Sequence, residues 1–228
     1  MSMNERSYQG TVVREGSVIE LASSEARKVL RNTYMLLAMT LAFSAVVAGV
    51  SAALALPHPG LILTLVGYFG LLFAVTKFRN SSMGVVFVFA LTGFLGYTLG
   101  PILNAYLSLP NGSETIMMAL GGTAAIFFAM SMLALTSKRD FSFLGKFLFA
   151  GIIVAFLAGL AAVFFTIPAL SLAVSAAFVL LMTGLILFET QNILRGGETN
   201  YIMATVTLYV SLYNLFVSLL HILGVAND

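Results

Sequence analysis

Seven apolar segments, each about 20 residues long, follow one another through the 228 residues of the chain. The hydrocarbon core of a bilayer is about 30 Å thick, and a helix crosses it in about 20 residues. Inside that core the backbone must satisfy its own hydrogen bonds, which favours helices. We therefore predict an all-α polytopic membrane protein, a bundle of seven transmembrane helices at about 33–56, 60–76, 83–107, 114–136, 142–166, 168–190 and 201–224.

The first 30 residues differ from the rest of the chain. They are polar, carry both signs of charge and lack the apolar core of a signal peptide. We expect a cytoplasmic N-terminal tail at 1–30, with a helix beginning near Ala22, and one transmembrane domain at 31–228. The chain as a whole is 60% hydrophobic and 9% charged, so this domain has little polar surface to expose to water.

Lysine and arginine lie only in alternate connections between the apolar segments. All 11 are in the tail or beside the connections that follow the second, fourth and sixth segments. Basic residues concentrate on the cytoplasmic side of membrane proteins. We therefore predict a cytoplasmic N-terminus and, with seven spans, a C-terminus on the opposite side of the membrane.

Several classes of function are not expected from this sequence. The basic residues form no patch with aromatic residues, so we expect no nucleic-acid partner. There is no cysteine, and the two histidines, His58 and His221, lie near the outer face without a carboxylate beside them, so we expect no metal site. The motifs of metalloproteases and of phosphate-binding loops are absent, and no catalytic residue is expected.

Glu189 is the carboxylate that lies deepest in an apolar segment. If that segment ends near Leu194, Glu189 lies about 7–8 Å below the boundary, at 1.5 Å per residue. A charged side chain costs about 2.5–3.5 kcal/mol at the centre of a membrane helix, so we expect Glu189 to face the bundle. Two interpretations remain open: a polar contact that fixes the helix register, or a site for an ion or a proton.

The last apolar segment carries polar residues at spacings of three and four, which places them on one side of a helix. We call them the polar stripe: Thr207, Ser211, Asn214, Ser218 and His221. A helix surrounded by lipid would not carry this stripe, so we predict that the seventh helix is central. Counting back from the preceding turn puts Thr207 and Ser211 opposite Glu189, where they would donate hydrogen bonds to it. Thr207, Ser211 and Asn214 join Glu189 as ion- or proton-site candidates, and the alternative is hydrogen bonding that only holds helices together.

The third segment contains Pro101, which removes the helical donor for the Tyr97 carbonyl and predicts a kink. Gly93, Gly96 and Gly100 precede it on one side of the same helix. Small residues let a neighbouring helix approach closely. We interpret the three glycines as a packing surface, with a gating hinge as the alternative.

Three strings resemble the Bax inhibitor-1 (transmembrane BAX inhibitor motif) family: GFLGYTLGPIL at 93–103, FETQN at 188–192 and YVSLYNLF at 209–216. The resemblance runs from about Lys28 to the C-terminus. Three further strings resemble the enterobacterial branch of the family: RKVLRNTY at 27–34, PGLILTLVG at 59–67 and GGETNYI at 196–202.

The resemblance implies a seven-helix bundle with a central last helix in the bacterial inner membrane, with its C-terminus in the periplasm. It implies two activities: a pH-sensitive calcium leak, and, in the enterobacterial branch, binding to the membrane protease FtsH and restraint of its proteolysis. The leak uses an acidic pair on the last two helices. Glu189 matches the first acid, but Ser211 occupies the second position, and a serine cannot share a proton as a carboxylate can.

This departure favours the protease regulator, with the FtsH complex and the lipid bilayer as partners. No cofactor is expected beyond weak binding of Ca²⁺ or a proton at Glu189. The alternative is a pH-sensitive calcium or cation leak along a path lined by Glu189 and the seventh helix. A purely structural membrane partner is a third possibility. The sequence does not give the oligomeric state.

Overall fold

The computed structural model describes the backbone of residues 3–227 and the side chains of residues 24–226. Within that part it contains helices and no strand. The helices are α1 (Met3–Ala53), α2 (Leu61–Phe78), α3 (Ser82–Leu107), α4 (Gly112–Thr136), α5 (Leu144–Phe164), α6 (Pro168–Leu194) and α7 (Tyr201–Asn227). Each contains a stretch long and apolar enough to cross a membrane, which in α1 is Ser24–Ala53. The predicted all-α, seven-helix fold is confirmed.

The helix bounds differ most from the predicted spans at the N-terminus. α1 is a single helix from Met3, where the sequence predicted a tail with a helix only from about Ala22. The side chains of residues 3–23 lie outside the described part of the chain, and so do the contacts expected of the tail. α6 continues to Leu194, four residues past the predicted end, so Glu189 lies five residues from the end of its helix.

α7 is the central helix of the bundle. It packs against α1, α2, α3, α4 and α6, and half of its most apolar 18-residue window is buried, the largest share among the seven spans. α5 lies at the periphery, where it packs along α6 and touches α2 through a ring contact of Phe156 with Phe69, 5.9 Å between centroids. The central position agrees with the prediction from the polar stripe.

The turn between α6 and α7 has a defined local cause. Gly196 has φ of 75°, the left-handed conformation that ends many helices, and its N–H donates to the Ile193 carbonyl at 3.0 Å. The side-chain oxygen of Asn200 accepts hydrogen bonds from the N–H groups of Ile202 and Met203 at 3.0 and 3.1 Å, and so caps α7. These two residues fix where one helix ends and the next begins.

The glycines of α3 face α1. A Cβ added at Gly96 would lie 2.5 Å from the Ser44 carbonyl oxygen, and one at Gly100 would collide with the Ser51 side chain. A Cβ at Gly93 would lie 2.8 Å from the ring of Phe43. The structure therefore places all three at the packing surface between α1 and α3.

α3 passes through Pro101 as one helix. Pro101 has no N–H to donate to the Tyr97 carbonyl. That carbonyl instead accepts a hydrogen bond from the Ser51 hydroxyl of α1 at 3.0 Å. Three residues after Pro101, the Asn104 amide donates to the Ala52 carbonyl at 2.8 Å. The Ser51 hydroxyl thus compensates for the break in the hydrogen-bond ladder of α3, and the Asn104 amide adds a second hydrogen bond between the two helices.

Candidate functional site

Glu189 lies inside the bundle. Its side chain is 5% exposed, and the side chain of Asn192, one turn along α6, hydrogen-bonds to it. Glu198, in the turn that follows, is close enough to interact electrostatically with it. The structure therefore turns this carboxylate away from the lipid-facing surface and into a polar neighbourhood, as its cost in hydrocarbon requires.

One contact sets the register of α6 against α7, at the end of the pair opposite the turn that joins them. There the Ser175 hydroxyl and the Nδ1 atom of His221 are 2.7 Å apart. The two helices are antiparallel, so equal steps along each stay level. Fourteen residues from this pair, about 21 Å along the axis, Glu189 on α6 reaches the level of Thr207 on α7.

We call this line of facing residues the α6–α7 seam: Ser175, Met182 and Glu189 on α6, with Thr207, Asn214 and His221 on α7. Successive members on each helix are seven residues apart, two helical turns, so they share one face. Met182, 2% exposed, lies at the level of Asn214 halfway along. The seam therefore has polar groups at both ends and an apolar side chain opposite an amide in the middle.

Two members of the polar stripe turn back onto their own helix. The Ser211 hydroxyl donates to the Thr207 carbonyl at 2.7 Å, and the Asn214 amide donates to the Val210 carbonyl at 2.8 Å. Ser211 is fully buried, yet its hydroxyl hydrogen has this acceptor and not Glu189. Serine in a helix commonly bonds the carbonyl four residues earlier, and this local bond replaces the expected one to Glu189.

The hydrogen bonds from α7 to other helices come instead largely from residues that sequence reasoning did not select. The Tyr209 hydroxyl pairs with the Ser44 hydroxyl of α1 and donates to the Thr92 carbonyl of α3 at 3.2 Å. One turn further, the Tyr213 hydroxyl lies 3.0 Å from the Thr98 hydroxyl of α3. The available signal was two tyrosines four residues apart in mid-span, since a buried tyrosine hydroxyl needs a partner.

A second missed residue, Gln191, anchors the connection between α4 and α5. Its side-chain oxygen accepts from the N–H of Phe141 at 2.8 Å, and its amide donates to the Arg139 carbonyl at 2.7 Å. Arg195 adds a hydrogen bond to the same carbonyl at 2.9 Å and a 3.0 Å ion pair with Asp140. The connection is therefore fixed to the end of α6, two residues from Glu189.

The connection between α2 and α3 is held in a similar way. The Asn200 side-chain amide donates to the Arg79 carbonyl at 2.9 Å and to the side-chain oxygen of Asn80 at 3.0 Å. Alternating helices bring the described lysines and arginines to this same side, which we call the basic end of the bundle. At the basic end, the turn between α6 and α7 is hydrogen-bonded to both of the other connections.

The comparison with protein families decides which group of proteins this bundle represents. The family described as "Inhibitor of apoptosis-promoting Bax1" matches residues 26–228, nearly the whole chain. The chain belongs to the Bax inhibitor-1 family.

Among relatives in the Bax inhibitor-1 family, the "Modulator of FtsH protease YccA" of Escherichia coli K12 is 60% identical over 200 residues, which are 88% of this chain and 91% of the relative. A protein from Escherichia coli O6:H1 named "Inner membrane protein YccA" has the same identity and coverage. An uncharacterized protein of Pseudomonas aeruginosa is 55% identical over 89% of this chain and 91% of its own. With seven apolar helices, these relatives support a multi-pass inner membrane protein, and the names point to a regulator and not to an enzyme.

The chemistry open to this Bax inhibitor-1 chain follows from its single buried carboxylate in the seam. Among the described residues, no three His, Asp or Glu side chains come together as metal ligands would. Ca²⁺ usually takes six to eight oxygen ligands, several of them carboxylate oxygens. A proton needs only one oxygen atom, which a single carboxylate such as Glu189 provides.

Proposed function

We propose that this chain is an integral membrane regulator that binds the FtsH protease complex and restrains its degradation of membrane proteins. The observation that carries the proposal is the 60% identity, over 88% of this chain, to a protein named as a modulator of FtsH protease. The match covers 200 residues and therefore includes most of the bundle. The name of this relative describes regulation and no reaction, in keeping with a binding function.

The basic end of the bundle suits a binding role. Gln191, Arg195 and Asn200 hold its connections in place, so a partner would meet a preformed surface and lose little entropy in ordering it. α1 also extends 21 residues before Ser24, about 30 Å of helix. If the basic end faces the cytoplasm, this extension lies on the cytoplasmic side as well. We infer that this extension and the basic end together contact the protease on the cytoplasmic side.

Co-purification tests the partnership. A tagged copy is extracted from membranes in a mild detergent, beside a copy that lacks residues 2–23 and an untagged control. We expect FtsH with the full chain and less of it with the truncated one. If a correctly folded full-length copy recovers no FtsH, even after cross-linking in the membrane, the proposal is wrong.

A second candidate function is a cation leak along the α6–α7 seam. The observation that favours it is the buried Glu189 carboxylate level with Thr207, at the end of a line of polar side chains that reaches Ser175 and His221. Buried Met182 interrupts that line, so this conformation would be the closed one. Intramembrane acids commonly mark ion or proton paths.

Flux into liposomes tests the leak separately from the partnership. Protein reconstituted without FtsH is compared with Glu189→Gln, which keeps the shape of the side chain and removes its charge, while calcium and proton entry are followed. We expect the wild type to conduct in a pH-dependent way and Glu189→Gln to lose that dependence. Identical fluxes at every pH would exclude a role for the carboxylate and would leave the protease proposal intact.

A further inference from the structure

Two buried hydroxyl groups have no hydrogen-bond partner among the described residues: Oγ1 of Thr33 on α1 and Oγ of Ser131 on α4. Thr33 is fully buried, and Ser131 is 7% exposed. A buried polar group without a partner destabilises the fold, and most buried polar groups in folded proteins are hydrogen-bonded to protein or to water. Two of them near one end of the bundle therefore call for an explanation.

Contacts around Thr33 bring four helices together. Its own carbonyl lies 3.3 Å from the Thr205 hydroxyl of α7, whose shorter hydrogen bond goes to the Tyr201 carbonyl at 2.7 Å. The next residue, Tyr34, reaches the Thr190 hydroxyl of α6 at 3.2 Å, and its ring meets that of Phe127 on α4 edge-on at 5.8 Å. We call this meeting point of α1, α4, α6 and α7 the four-helix junction.

Ser131 lies beside the part of the four-helix junction that Phe127 forms on α4. It follows Phe127 by four residues, about one helical turn, so both side chains leave the same face of α4. α4 and α6 run in the same direction, and Ser131 and Glu189 each lie five residues before the end of their helix. Gln191 joins the end of α6 to the connection that leaves α4, which keeps the two ends level.

Glu189 immediately precedes Thr190, the α6 residue that Tyr34 reaches. α1 and α4 both pack against α6 and α7, so the two unpaired hydroxyls come from the two helices that flank α6, which carries the buried Glu189 carboxylate. A buried water typically makes about three hydrogen bonds to such groups. Within the protein the carboxylate can only accept hydrogen bonds when ionised, and water can supply them.

We propose that the four-helix junction is a water-binding site, in which ordered water molecules bridge the hydroxyls of Thr33 and Ser131 to the Glu189 carboxylate. The water molecules supply the hydrogen-bond partners that the protein does not provide for the two hydroxyls. It also gives the carboxylate a polar environment that does not depend on Ser211. The site exists whether or not the protein conducts ions or binds a protease, so it is tested by itself.

Water-edited solid-state NMR of the full-length wild type in lipid bilayers tests the site. The transfer of magnetisation from water to Thr33, Ser131 and the Glu189 carboxyl carbon is timed against Thr40. Thr40 is the matched control: it is on α1, fully buried, and its hydroxyl donates to the Leu37 carbonyl at 3.0 Å. We expect transfer several-fold faster at the three junction residues. Transfer at any of them as slow as at Thr40 overturns the shared water site.

A pair of substitutions gives an independent readout. Thr33→Val keeps the shape and removes the hydroxyl, and Thr40→Val makes the same change at the control position. If water binds Thr33, Thr33→Val lowers the unfolding midpoint, by roughly 2–4 °C for a chain of this size. If the junction is dry, removing an unpaired hydroxyl raises the midpoint above that of the wild type, which contradicts the proposal.

Discussion

The hydroxyl of Ser51 on α1 donates a hydrogen bond to the carbonyl of Tyr97 on α3, at 3.0 Å. That carbonyl lies four residues before Pro101, which has no N–H to donate to it. One side chain thus supplies the bond that proline removes, and it does so from a different helix. The contact links a break in a helix to the packing of its neighbour.

This relationship predicts an energetic coupling between Ser51 and Pro101. Ser51→Ala should lower the free energy of unfolding by about 1–3 kcal/mol, since it leaves a carbonyl unpaired in the membrane. In the Pro101→Ala background the restored N–H can serve Tyr97, so Ser51→Ala should cost much less. Reversible unfolding in mixed detergent micelles measures all four proteins of this cycle. Equal costs of Ser51→Ala in both backgrounds would show that the two residues are not coupled.

The close approach of α1 and α3 predicts opposite effects for two glycine substitutions. Gly96→Ala should destabilise the protein by about 1–3 kcal/mol, because the added Cβ would lie 2.5 Å from the Ser44 carbonyl oxygen. Gly121→Ala is the matched control: nothing lies within 4 Å of its added Cβ, and alanine favours the helix. Thermal unfolding of both variants should give a lower midpoint for the first and an equal or higher one for the second. Similar midpoints would argue against tight packing at Gly96.

The Gln191 side chain predicts local order in the connection between α4 and α5. Gln191→Met keeps the length of the side chain but removes the bonds to Phe141 and Arg139. We expect amide hydrogen exchange at 139–143 to increase at least tenfold, while the centre of α7 is unchanged. Thr136→Val is a suitable control, since the exposed Thr136 hydroxyl donates to the Met132 carbonyl within its own helix. Unchanged exchange in Gln191→Met would mean that Arg195 alone holds the connection.

Asp140, in the same connection, predicts a specific dependence on pH. Hydrogen bonds from the Ser142 hydroxyl, at 2.6 Å, and from its N–H, at 2.8 Å, lower the pKa of Asp140, and Arg195 adds a favourable charge. Any stabilisation from this carboxylate is therefore complete at neutral pH and is lost only as the pH falls through that lowered pKa. NMR titration of the Asp140 carboxyl carbon should give a midpoint below the ordinary 3.8. The midpoint should rise more in Ser142→Ala than in Arg195→Met, and the reverse order would contradict this account of its cause.

The sequence predicted the parts of the fold that depend on local patterns. Seven apolar segments gave seven helices, and the polar stripe of the last one correctly indicated a central helix. The glycines before Pro101 lie where small residues allow close packing. The burial of Glu189 also followed from a simple cost, because a carboxylate in hydrocarbon must turn inward.

Contacts between distant parts of the chain were not predictable in this way. Gln191 contacts residues about 50 positions earlier, and Tyr209 contacts α1 and α3. The periodicity of polar and apolar residues within one helix gives no information about such distant partners. Ser211 shows the opposite error: a polar residue on the expected face used its hydroxyl within its own helix. A helical pattern tells which side a residue occupies, but its partner depends on the competition between local and distant acceptors.

The most direct test of the proposed regulation is the degradation rate of a membrane substrate by purified FtsH in nanodiscs or liposomes. The rate is measured with increasing amounts of this protein, with a truncated copy lacking residues 2–23, and with an unrelated seven-helix membrane protein as a control. We expect the full chain to slow degradation in proportion to the FtsH it binds, and the control to have no effect. An unchanged degradation rate at saturating amounts of the folded full-length protein would contradict the proposed regulation.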